Sequence, residues 1–279
     1  VGKPVSRQGR RFSIPYPVLF VAVLLGSFLL MSFVRSQMTP GSTQLQQLIA
    51  ANAPDENARS LAAGPGGQLY VGTSRGLLTG KGQRGWSRLS GVQDEVGSAV
   101  VTSNGVFLGG SRIGVVAYSD GRVTPLLQGD VRALAAAGDR LYAVVAGSGI
   151  HASSDSGRTW IRLAAGPGDG TISLASDLRT ELETLLAGSV DGTVSVSFDG
   201  GRTWSAQSAH GRSVTALQFM AGRRVYGAIG GAVMVSDDLG VTWQRGSARV
   251  QDRAFTALAF AGDTLWALSA DGYLTKIER

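Results

Sequence analysis

From Ala58 onward, short runs of alternating apolar and polar residues recur, the period-two pattern of half-buried strands. The runs come in pairs. A first phrase reads Arg59-Ser-Leu-Ala-Ala63, Gly97-Ser-Ala-Val-Val101, Val131-Arg-Ala-Leu-Ala135, Thr171-Ile-Ser-Leu-Ala175, Val214-Thr-Ala-Leu-Gln218 and Phe255-Thr-Ala-Leu-Ala259. Each is followed by a turn and a second run: Leu69-Tyr-Val71, Val106-Phe-Leu108, Leu141-Tyr-Ala143, Thr184-Leu-Leu186, Val225-Tyr-Gly227 and Leu265-Trp-Ala267. Units about 40 residues long suit four short strands. The pattern therefore predicts an all-β chain, a six-bladed β-propeller over residues 58–279. Small residues in the first phrases suit strands that crowd around a common axis.

The sixth unit runs out at Tyr273-Leu-Thr-Lys-Ile277, after its third strand. Just upstream of the first unit, Thr43-Gln-Leu-Gln-Gln-Leu-Ile49 has apolar positions that fit either a turn of helix or a strand. As a strand it would pair with residues 273–277, cover an open edge and close the ring.

Before residue 35 the pattern changes. Residues 17–34 are apolar and uncharged, and Val18-Leu-Phe-Val-Ala-Val-Leu-Leu25 has no polar face. At roughly 1.5 Å per residue the stretch approaches the ~30 Å of a bilayer core. It reads as one transmembrane helix after a basic leader, residues 1–16, with residues 35–57 as a linker. A cleavable secretory signal is the alternative, but no A-x-A site follows the apolar run. The expectation is a retained single-pass anchor in the inner membrane, with a cytoplasmic N-terminus and an extracytoplasmic propeller.

Charge supports that reading and removes another. The net charge of +6 suggests a nucleic-acid partner until its location is considered. Lys3, Arg7, Arg10, Arg11 and Arg35 account for most of it, leaving 21 basic against 20 acidic residues from Ser36 onward. The absence of cysteine excludes disulfides, thiol catalysis and thiolate metal sites.

One phrase, S-x-D-x-G-x-T-W, occurs three times: Ser153-Ser-Asp-Ser-Gly-Arg-Thr-Trp160, Ser197-Phe-Asp-Gly-Gly-Arg-Thr-Trp204 and Ser236-Asp-Asp-Leu-Gly-Val-Thr-Trp243. Each follows an alternating run. Aspartate can accept backbone N–H bonds within a turn, glycine supplies a positive φ, and Thr-Trp begins the next strand. Residues Asp155, Gly157, Thr159, Trp160, Asp199, Gly201, Thr203, Trp204, Asp238, Gly240, Thr242 and Trp243 are thus predicted to be structural. Thr79-Gly-Lys-Gly-Gln-Arg-Gly-Trp86 and Ser119-Asp-Gly-Arg-Val-Thr124 read as degenerate copies.

The phrase resembles the Asp box of bacterial sialidases, sortilin-type receptors and the photosystem II stability/assembly factor family. The resemblance implies a propeller in which the box joins the third and fourth strands of a blade, on the side away from the site of action. It also implies two functional classes. One is a binding protein of a membrane complex, such as a bacterial photosynthetic reaction-centre complex. The other is a glycosidase, which would use clustered arginines, a tyrosine nucleophile with a glutamate partner, and an acidic proton donor.

Reacting groups are hard to find on this frame. Arg112-Ile-Gly114 lacks the proline of the sialidase Arg-Ile-Pro feature. Tyr70, Tyr142 and Tyr226 share one repeat position and read as packing residues. Glu181 and Glu183 read as a solvated turn. His151 and His210 stand alone, so no metal is expected. Gly64-Pro-Gly-Gly67 and Gly166-Pro-Gly-Asp-Gly170 lead into no helix, so neither is a phosphate loop and no cofactor is expected. Loops on a rigid scaffold are the usual seat of binding. The candidate partner face is the one bearing Arg75, Arg112, Arg212, Arg249, Asp252 and Arg253. The predicted function is a non-catalytic, membrane-anchored scaffold, accessory subunit or assembly factor. A carbohydrate-binding or sialidase-like domain and an envelope sensor domain are the alternatives.

Overall fold

The structure is a computed structural model, which describes residues 44–52, 56–177, 183–220, 223–246 and 253–277. The leader, residues 17–34, and the start of the expected linker lie outside the described residues. Among the described residues no helix is long and apolar enough to cross a membrane.

Six antiparallel sheets follow one another in chain order. Blade one comprises Ala58–Ala63, Gln68–Thr73, Gly76–Lys81 and Arg84–Arg88; blade two, Ser98–Thr102, Gly105–Gly110, Gly114–Ser119 and Arg122–Leu127. Blade three comprises Val131–Ala137, Arg140–Val145, Gly149–Ser153 and Ile161–Arg162; blade four, Thr171–Asp177, Thr184–Ser189, Thr193–Ser197 and Ser205–Ala209. Blade five comprises Val214–Phe219, Val225–Ile229, Ala232–Ser236 and Gln244–Arg245. Blade six has three described strands, Phe255–Ala261, Thr264–Ser269 and Leu274–Ile277. All six predicted first phrases fall on innermost strands.

Those innermost strands touch their neighbours in order, and the last touches the first, so the ring closes. Their alanines, including Ala62, Ala99, Ala135, Ala175 and Ala259, are buried and permit the approach. A Cβ on Gly188 would sit 2.4 Å from Val214 Cγ1 of the next blade and from Ser173 Oγ, so that crossing admits only glycine. Six apolar clusters fill the six seams between blades, which makes the core a set of radial layers.

The seam between blades six and one differs from the rest. The segment expected as a closing strand is a helix, α1 (Gln44–Asn52). It pairs with no strand. Leu45 and Ile49, one helical turn apart, are 0% and 3% exposed in a cluster with Leu78, Trp86, Leu268 and Leu274. Spacing i, i+4 puts both on one stripe, and this decides helix over strand, where positions 45 and 49 would share a face with polar Gln47 between them. Gln46 Nε2 donates to Asp271 Oδ2 at 2.9 Å, fastening the helix to the turn before the last described strand of blade six. Next to it, buried Glu56 accepts both Arg88 Nη2 contacts at 2.7 Å and the Thr73 hydroxyl at 2.5 Å. Within residues 35–57, then, the chain is partly built into the ring.

Each blade passes to the next on one face, where the arriving segment bonds to the preceding or following blade: Ala58 N–H to Ala270 O, Val96 N–H to Thr73 O, Phe255 N–H to Gly231 O. The turns between second and third strands share this loop face. First-to-second and third-to-fourth turns lie on the opposite, turn face.

Candidate functional site

On the turn face the three S-x-D-x-G-x-T-W phrases each join a third to a fourth strand, and their geometry repeats closely. The serine Oγ accepts the glycine N–H at 2.8 Å in all three. Aspartate Oδ1 accepts the threonine N–H at 2.8–2.9 Å, and Oδ2 accepts its hydroxyl at 2.6 Å. The indole N–H donates to the glycine carbonyl at 2.9–3.1 Å. Bonds from the threonine, first through its hydroxyl and then its N–H, hold Asp155, Asp199 and Asp238 down at about 2. The fourth position of the phrase is also left-handed, with φ of 58° at Ser156 and 62° at Leu239. These carboxylates are occupied within their own turns.

Blades one and two depart from the expected degenerate copies. Both make two-residue hairpins, Lys81 pairing Arg84 and Ser119 pairing Arg122. Asp120 and Gly121 both have positive φ, as that tight turn requires. What survives is the indole: Trp86 donates to Gly82 O at 3.0 Å.

On the loop face, Arg75, Arg112, Arg212 and Arg253 are all exposed. Arg249 and Asp252 lie outside the described residues. Arg112 pairs Asp94 at 3.0 Å in open solvent, a contact worth little to stability. Arg253 lies 4.0 Å over the Tyr273 ring, and the Arg212 stem crosses Gly230. These arginines share a face but do not gather into one site. The axial mouth on that face, about 530 Å³, is lined instead by Arg59, Glu95, Asp130, Arg132, Thr215 and Thr256. Glu95 binds Arg59 at 3.3 Å and Ser111 Oγ at 3.2 Å. Part of this set had a signal in the sequence: Arg59, Arg132, Thr215 and Thr256 each stand two residues before the leucine of the first phrase. At the other end the axis narrows to about 220 Å³ between Val101, Ala136, Phe219 and Phe260.

A third feature lies between blades three and four on the turn face. Arg140 and Tyr142, two residues apart on one strand, point the same way, and Glu183 at the start of the facing strand meets them. Glu183 is 6% exposed and ion-paired to Arg140. This corrects the expectation of a solvated turn at Glu183; Glu181 lies outside the described residues. Tyr142 is indeed buried packing, but its phenol also faces the pair. Burial first, then the neighbouring carboxylate, pushes the phenol well above its ordinary value, the opposite of what a tyrosine nucleophile needs. Hydrogen bonding to Glu183 raises Arg140. The cross-blade meeting had no sequence signal, since the two segments belong to different repeats.

The histidines stay apart. His151 contacts Ser148 Oγ at 2.8 Å and His210 packs edge-on to Trp243 at 6.1 Å. Among the described residues no three potential ligands converge on a metal position.

The chain is thus a six-bladed β-propeller. No protein-family model matches it, and no curated protein matches it significantly. Solved structures do. YCF48 from Cyanidioschyzon merolae is 15% identical with a TM-score of 0.54, covering 80% of this chain and 96% of that one. A structure of YCF48 bound to D1 peptide is 18% identical with a TM-score of 0.55, covering 81% and 78%. The extracellular domain of BT4673, a putative one-component system from B. thetaiotaomicron, is 13% identical with a TM-score of 0.54, covering 80% of this chain but 38% of that one. At these identities the likeness is one of fold.

Proposed function

We propose that this chain is a non-catalytic propeller, anchored through residues 17–34 and displayed outside the cytoplasm, that binds an integral membrane protein complex as a scaffold, accessory subunit or assembly factor. The observation that carries this reading is the division of labour between the two faces. The repeated carboxylates of the turn face are consumed by their own backbone. The loop face surrounds an open mouth with charges of both signs on connections held by a rigid ring. The resemblance to photosystem assembly factors, together with a neighbour in fold that has been seen with a D1 peptide, makes a bacterial photosynthetic reaction-centre complex the first partner to test.

Mild detergent extraction of the full chain from its own membranes, followed by affinity capture, tests the reading. Near-stoichiometric recovery of an integral membrane complex is expected, weakened at least tenfold by combined Arg112→Glu and Arg253→Glu. Recovery of the chain alone, or glycoside hydrolysis by the purified protein, would overturn it. Protease added to intact spheroplasts should digest the propeller; a protected propeller removes the proposed topology.

A further inference from the structure

Large apolar side chains that stay exposed are not spread evenly over the ring. Among the described residues there are five, and four of them, Val123, Ile161, Phe198 and Val241, stand in third-to-fourth turns or at the start of fourth strands, 42% to 66% exposed. All four therefore lie at the turn face, one on each of blades two to five. The fifth, Val190, is in a loop-face turn. Each of the four tips also has a cation close by in the chain. Arg122 precedes Val123, Arg162 follows Ile161, and Arg202 and Arg245 stand four residues after Phe198 and Val241, all of them exposed. Blade one departs from the pattern, because its hairpin, Lys81-Gly-Gln-Arg84, has cations and no apolar tip.

Charge alone does not make this arc a site for a polyanion, since carboxylates and cations occur on it in similar number. Their settings differ. Asp155, Asp199 and Asp238 are bound within their own turns, Glu183 and Asp237 are paired with Arg140 and Arg224, and Asp139 Oδ1 takes the Asn104 amide at 2.6 Å. The carboxylates are held down, whereas an exposed arginine reaches outward on a long stem. Scatter then decides between a protein and a lipid surface. A stable protein interface buries roughly 800 Å² on each partner around a contiguous, closely packed centre, and single tips on separate blades form no such centre. A bilayer interface has no fixed shape, so it accepts each apolar tip by itself and offers a phosphate to each guanidinium. An anchored ring also meets that surface at high effective concentration, so each contact can be weak.

We infer that the turn face of blades two to five is a lipid-contact surface, on which Val123, Ile161, Phe198 and Val241 enter the headgroup region of a phospholipid bilayer while the neighbouring arginines bond lipid phosphates. The inference rests on the membrane-anchored reading above and leaves the loop face to the protein partner.

The chain has no cysteine, so a single introduced one carries a label alone. Ile161→Cys, Val241→Cys and, as the loop-face control, Val190→Cys are each labelled with a fluorescent dye, and the full chain is reconstituted into phosphatidylcholine vesicles that contain a nitroxide-bearing lipid. Quenching at positions 161 and 241 should exceed that at 190 severalfold. Combined Phe198→Asp and Arg202→Glu should reduce it severalfold at an unchanged melting temperature; both positions are exposed, and blade five already holds Asp237 where blade four has Phe198. Vesicles of a neutral glycolipid, which carries no phosphate, should quench less than phosphatidylcholine, and equal quenching in the two would overturn the bonding to phosphate. Co-flotation with the vesicles checks the anchor separately. A chain that floats but is quenched no more at 161 and 241 than at 190 overturns the lipid-contact face and leaves the anchored reading standing. Labels shielded only after a membrane protein complex is added would assign the face to a protein and overturn it too. A chain that does not float sinks both readings.

Discussion

Blades three to five end in a different way from blade six, and the difference separates local from tertiary control. In the former, one eight-residue phrase closes the turn with bonds among its own residues, and the outer strand that follows is two residues long in blades three and five and five residues long in blade four. Blades one and two use tight hairpins and carry outer strands of five and six residues. In blades three and five, side-chain-to-backbone bonds hold the turn where the ladder is short. At blade six neither device is present among the described residues, and the seam is covered by α1 through apolar side chains from a segment more than 200 residues away in sequence.

The sharpest way to break this contrast is at the helix. Leu45→Ala should cost about 3 kcal/mol, because a fully buried leucine leaves a cavity at the one seam closed by remote residues. Denaturant midpoints measure it, and proteolysis should then begin at blades one and six. A loss below about 0.5 kcal/mol would mean that the helix merely rests on the ring.

Next comes Gly201→Ala, expected to cost about 2 kcal/mol. Its φ is 85°, and a Cβ would stand 2.7 Å from Leu163 Cδ1 and 3.1 Å from Leu185 Cδ1. In the tight hairpin of blade one, Gly82→Ala adds only ordinary contact with Trp266 at 3.4 Å, so its cost should stay nearer 1 kcal/mol. Equal losses at the two glycines would remove the distinction between the turn types.

Ser197→Ala should cost about 1–2 kcal/mol, since it strips the acceptor from the Gly201 N–H and removes one of two donors from Asp199 Oδ1, at a residue 1% exposed. Ser119→Ala, exposed in blade two, should be neutral within about 0.5 kcal/mol. Asp199→Ala should lower stability in the same direction without a selective loss of partner binding. A binding defect at an unchanged melting temperature would make the turn a site.

The smallest effect is on pH dependence. Asp155, Asp199 and Asp238 sit at about 2 in the folded ring against an ordinary 3.8. Their contribution is complete above roughly pH 4 and is lost as pH falls toward 2, because protonation favours the unfolded chain. Replacing all three by Asn should flatten the stability profile across that window. An unchanged slope would place the acid sensitivity outside these three turns.

By itself the sequence determined what is local and repeated. Six units, their innermost strands and the three self-bonded turns could be read because alternation and an eight-residue hydrogen-bond set are properties of contiguous residues. The separation into a loop face and a turn face followed from strand order alone. Only the tertiary structure decided what depends on distant partners. Thr43 to Ile49 had no preference until the seam between blades one and six offered Leu45 and Ile49 a place to bury, and a stripe spaced i, i+4 fills a groove that a strand would leave polar on the same side. Glu183 looked like a surface carboxylate until a neighbouring repeat brought Arg140 and Tyr142 against it. The mouth residues Arg59, Glu95 and Arg132 became neighbours only when the ring closed. Closure is set by the fit of six radial seams at once, and no single stretch of chain encodes it.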